Sequence, residues 1–108
     1  MIQEDYVSFE TAKLLKEKGF DEKTISFYPP GDIQRPTIQM AMKWLREIHR
    51  IDIEVLTHYL NYLKPNDTRF YSGKILKGSE DVIHTIYSKD TYEEVCELAI
   101  KYCLENLV

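Results

Sequence analysis

The chain has 108 residues, 44% of them hydrophobic and 30% charged, and its 18 acidic side chains against 14 Lys and Arg give a net charge of −4. This length fits one domain over residues 1–108, and the composition excludes a disordered chain. No apolar run approaches the ~18–20 residues that span a bilayer, so no membrane association is expected. The start, Met1-Ile2-Gln3-Glu4-Asp5-Tyr6, lacks the basic-then-apolar pattern of a secretory signal, and a soluble cytoplasmic protein is expected.

The first predicted element is a helix from Phe9 to Lys18, with Ser8 as its cap. Gly19 is placed to close it in a left-handed conformation, and Phe20 to fold back onto Leu15. Phe9, Ala12 and Leu15 share its apolar face. Thr24-Ile25-Ser26-Phe27-Tyr28 then reads as a short strand, ended by the loop Pro29-Pro30-Gly31-Asp32. A second helix is expected over Thr37 to Arg50. Ile38, Ala41, Met42, Leu45 and Ile48 form its apolar face, which Met40 and Trp44 widen past half the circumference. An arc that wide suggests contact with more than one layer or with another copy of the chain.

After Arg50 the hydrophobic period changes from 3.6 to 2. Ile51, Ile53 and Val55 alternate with Asp52 and Glu54, the pattern of a half-buried strand that can extend toward Leu60 or Leu63. Arg69 to Lys77 and Val82 to Tyr87 read as further strands, with turns at Lys64–Asp67 and Gly78–Asp81. Short connections imply an antiparallel meander. The last element is a helix capped by Asp90 or Thr91, in which Tyr92, Val95, Cys96, Ala99, Tyr102, Cys103 and Leu107 follow helical spacing. The expected fold is α+β: three helices on one face of a small, mainly antiparallel three-stranded meander sheet.

Three phrases stand out in this order: Tyr6 to Phe20, Pro36 to His49 with Ile51-Asp52-Ile53-Glu54, and Tyr92 to Lys101. Together they resemble a group of small uncharacterised proteins of Bacteroidetes genomes and their phages. The resemblance spans most of the chain and implies an origin on a phage or other mobile element. The group brings no assigned activity, so no functional residue is carried over from it.

Motifs that specify a chemistry are missing from the sequence. Its four glycines are scattered, and no Cys-x-x-Cys, His-Glu-x-x-His or Gly-x-Ser-x-Gly occurs. Catalysis is therefore the less favoured class, and no cofactor is called for. Cys96 and Cys103 lie seven positions apart on one helix, about 10 Å between Cα atoms and beyond disulfide reach, so both read as buried hydrophobes of a reducing compartment. Asp52, Glu54 and His58 fall on one strand face, with His49 upstream. These are residue types that can ligate a divalent metal, but an outward strand face is also ordinarily polar. The first helix followed by Thr24-Ile25 is similar in outline to a helix-turn-helix. A recognition helix starting near Asp21 would have to end at Tyr28-Pro29, leaving only about two turns.

Wide helical arcs and eight tyrosines favour a non-enzymatic protein-interaction module that self-associates, for example as a homodimer. Its candidate surface comprises Trp44, Tyr59, Tyr62 and Tyr71, with the basic stripe Lys43, Arg46 and Arg50. The alternative is a nucleic-acid-associated regulator using that stripe, against which the acidic excess works.

Overall fold

Helix α1, Phe9–Glu17, starts where Ser8 leaves the helical conformation and its Oγ accepts from the Thr11 amide at 3.2 Å. It ends as its sequence requires. Gly19 adopts φ +97°, the Gly19 amide donates to Lys16 O at 3.2 Å, and the Phe20 amide donates to Leu15 O at 2.9 Å, turning Phe20 into the core. The chain is seen here in a computed structural model that describes residues 5–29, 31, 33–59, 69–78 and 81–108.

The expected strand at Thr24–Tyr28 contracts to β1, Phe27–Tyr28, which pairs with a strand not foreseen, β2, Ile33–Gln34. Side chains take over the bonding upstream. The Thr24 amide donates to Gln34 Oε1 at 2.9 Å, and the Arg35 amide to Thr24 Oγ1 at 3.2 Å, so local bonds replace a ladder. Asp21 to Ser26 is not helical, which removes the recognition helix that a helix-turn-helix needs.

Helix α2, Ile38–His49, is capped by Thr37, whose Oγ1 accepts from the Met40 amide at 3.1 Å. The N-terminal segment is pinned across its start, since the Val7 amide donates to Pro36 O and the Ile38 amide to Asp5 O. Arg50 alone separates α2 from strand β3, Ile51–Tyr59, and it turns the chain with a left-handed φ of +58°, while the other positive φ values among the described residues belong to glycines. Strands β4, Arg69–Lys77, and β5, Val82–Lys89, complete an antiparallel sheet in the order β3-β4-β5. Helix α3, Tyr92–Asn106, closes the chain, and Thr91 rather than Asp90 caps it.

The register assigns the two sheet faces. Ile53 stands opposite Ile75, Val55 opposite Gly73, and Gly73 opposite Ile86. These residues form the inner face, because directly opposed side chains point the same way. Helix α3 packs across all three strands, α2 lies on β3 and α3, and α1 lies on α3. All three helices therefore sit on one side of the three-stranded sheet, an α+β arrangement to which β1 and β2 add a separate hairpin.

Burial corrects the predicted helix faces. On α3, Ile100 and Leu104 are fully buried although they lie off the predicted stripe, because this helix packs on the sheet with one side and against α1 with another. Phe9 and Tyr92 stay partly exposed while their rings meet Tyr28 and Tyr71 edge-on, and Ile48, placed on the α2 core face by spacing, is 61% exposed near the end of that helix. The hydrophobic core joins Leu15, Leu45, Ile51, Ile75, Ile100 and Leu104 with both cysteines.

Candidate interaction surface

The aromatic residues of the candidate surface differ in their exposure. Trp44 is only 6% exposed and packs edge-to-face against Phe20, at 5.5 Å between ring centroids, and against His49 at 4.7 Å. It is a core residue, because α2 turns its wide arc toward Phe20 at the end of α1. Tyr71 is half-buried on the inner sheet face, with its ring edge-on to Tyr92 at 6.4 Å. Tyr59 is exposed at the end of β3, and Tyr62 lies outside the described residues.

The basic stripe is exposed but divided. Arg46 and Arg50 line a shallow hollow of about 500 Å³ with Asp52 and Gly78. Lys43 faces a different groove, about 270 Å³, with Met40, Trp44 and Ile48 between Glu22 and Glu47. Each hollow thus includes at least one carboxylate in its lining, which lowers the local positive potential.

Asp52, Glu54 and His58 do share the outer face of β3, as their spacing requires. His58 is engaged there: its Nε2 lies 2.8 Å from Ser72 Oγ and its ring stacks on Phe70 at 4.7 Å. Among the described residues no group of three or more His, Cys, Asp or Glu side chains is arranged to hold a metal ion. Each of the three histidines packs against an aromatic ring, His49 on Trp44, His58 on Phe70 and His84 on Tyr102. The Ser72–His58 pair has no carboxylate bonded to the imidazole among the described residues, so it lacks the group that orients a catalytic base.

Helix positions are fixed by a network at the start of α1. The Glu97 carboxylate on α3 accepts from the Ser8 amide at 2.8 Å, from Ser8 Oγ at 3.2 Å and from Thr11 Oγ1. Thr11 is fully buried, so this carboxylate satisfies a hydroxyl that water cannot reach. A second link joins Lys101 Nζ and Glu10 Oε2 at 3.1 Å.

Burial pushes the Cys96 thiol up to about 11 and the Cys103 thiol up to about 12, from an ordinary value near 9. A raised pKa in the folded state means that unfolding releases thiol protons at high pH. The resulting contribution to stability is complete below about pH 9 and is lost as pH rises toward 11–12. Both thiols are therefore expected to resist alkylation at pH 8 until denaturant is added, while C96A/C103A flattens the fall in stability above pH 9. Equal alkylation rates with and without denaturant would refute the buried assignment.

The surface that spacing alone does not single out runs along β5. This strand is the last in the sheet order, so one of its edges has no neighbouring strand among the described residues. Ile83 is 41% and Tyr87 73% exposed on it. Between β5 and α3 runs an open groove of about 580 Å³ that Tyr87, Leu98, Lys101, Tyr102 and Glu105 help to line. Within its lining the His84 and Tyr102 rings stack at 3.8 Å, nearly parallel. An unpaired strand edge offers amide and carbonyl groups to any extended segment, and a helix beside it offers side-chain contacts to the same segment.

No family model, curated protein or solved structure matches the chain.

Proposed function

We propose that the protein is a small non-catalytic protein-interaction module that self-associates. The observation that carries this reading is the open β5 edge, with exposed Ile83 and Tyr87 beside the groove against α3. Backbone groups of an edge strand bind another chain without demanding a particular chemistry, and exposed tyrosine adds contact area at low entropic cost. The division of Lys43, Arg46 and Arg50 between two hollows, each with a carboxylate, favours this reading over a nucleic-acid regulator, as does the net charge of −4.

No described helix is long and apolar enough to cross a membrane. The two buried free thiols fit a reducing, cytoplasmic setting. The resemblance of the sequence to small phage-related proteins supports an origin on a mobile element. Sedimentation velocity across the micromolar range is expected to show a concentration-dependent dimer, and gel shifts at low salt are expected to show no duplex or single-strand binding. A chain that stays monomeric throughout and shifts nucleic acid would exchange this reading for the alternative.

A further inference from the structure

We propose that a second copy of this chain pairs with β5 in antiparallel fashion about a twofold axis at Thr85, joining two three-stranded sheets into one of six strands. The inference rests on the self-association proposed above and names its surface and register.

Self-pairing around one residue is a demanding condition, because every side chain must accept its own counterpart. Pairing about Thr85 sets Thr85 against Thr85 of the second copy, Ile83 against Tyr87, and Asp81 against Lys89. Each match is favourable on an antiparallel ladder: two hydroxyls, an aliphatic beside an aromatic, and opposite charges. The twofold repeats the last two matches, so both ends of the ladder carry an ion pair. Neither Asp81 nor Lys89 makes an ion pair within the chain among the described residues.

Irregularities in β5 share that symmetry. Val82 and His84 stand opposite the adjacent residues Leu76 and Ile75, so Ile83 is an inserted residue. Ile86 and Lys89 stand opposite Gly73 and Tyr71, so Tyr87 and Ser88 together oppose Ser72. The two bulges begin two residues to either side of Thr85. Bulges twist an edge and limit its pairing, which opposes growth of long strand stacks. Placed symmetrically, they bring Ile83 of one copy to Tyr87 of the other on either side of the Thr85 pair, which suits a closed dimer. The groove beside α3 has room for side chains of the second copy, with Leu98 and Tyr102 as its apolar contacts.

Charge exchange tests the register. Asp81→Lys opposes like charges at both ends of the ladder, as does Lys89→Asp. Each variant alone is expected to dimerise about tenfold more weakly than the parent chain, by the loss of exposed ion pairs and the gain of repulsion. An equimolar mixture of the two variants restores opposite charges at both ends and is expected to associate like the parent. Recovery on mixing also shows that neither variant is misfolded. Amide exchange should slow along β5, and not along β3, as protein concentration rises. A parent dimer that both variants leave unchanged, or a mixture no tighter than its components, overturns the β5 pairing while self-association stands. A monomeric parent chain overturns the self-association reading itself.

Discussion

Gly73→Ala is expected to destabilise the protein by about 1–3 kcal/mol, the usual cost of adding a methyl group to a core without room for it. A Cβ at Gly73 would lie 2.6 Å from Val95 Cγ1, where real atoms do not approach. Relief by a turn of Val95 is not readily available. Val95 is fully buried on α3, and a helical valine has essentially one populated χ1 rotamer. The remaining response is to lift α3 from the centre of the sheet, which disturbs its contacts with all three strands. Shortening Val95 should remove the clash, so Gly73→Ala in a Val95→Ala background is expected to cost less than Gly73→Ala alone. Urea unfolding of the four proteins in this cycle measures the difference. Additivity to within about 0.5 kcal/mol would show that the two positions do not press on one another.

Trp44→Ala is expected to lose about 3–5 kcal/mol of stability, a large share of what a domain of this size commonly has. The indole packs against Phe20, which the α1 ending turns inward, and against His49 in the last turn of α2. Removing it leaves a cavity where the end of α1 meets α2. The same substitution distinguishes core from interface. A buried Trp44 lowers the urea midpoint seen by circular dichroism, whereas an exposed interface anchor would leave that midpoint unchanged and weaken only association. An unchanged midpoint would return Trp44 to the surface.

Local signals were legible wherever one short stretch held both partners of an interaction. Ser8 caps α1 and Thr91, one of the two expected candidates, caps α3 within their own turns, and Gly19 closes α1 together with its immediate neighbours; the Thr37 cap of α2 is a finding of the structure. The alternation from Ile51 to Val55 identified β3 for the same reason, since its period is a property of a single strand. Of the first hairpin only β1 was legible, within the longer strand expected at Thr24–Tyr28; β2 and the pairing were not, because the strands are two residues each and the bonding depends on Thr24 meeting a side chain at Gln34. The burial of Trp44, a residue of the candidate surface, was not legible for a related reason. Spacing places Trp44 at the margin of a wide arc, but only the position of Phe20 decides that the margin is covered.

Sequence by itself determined three helices, the Ser8 cap and a choice of two caps for the last helix, three longer strands, a net charge of −4 and two cysteines too far apart to bond. Each of these follows from contacts between residues a few positions apart. Tertiary structure decided which apolar side chains those elements spend on one another. It buried Trp44, left Ile48 exposed, brought Glu97 to Ser8 and Thr11, and laid α3 against Gly73. A meander necessarily leaves its outer strands at an edge, yet only the packing of the helices on the inner face shows that β5 keeps an open groove beside it. Burial depends on elements far apart in the chain, and no periodicity within one element encodes what will cover it.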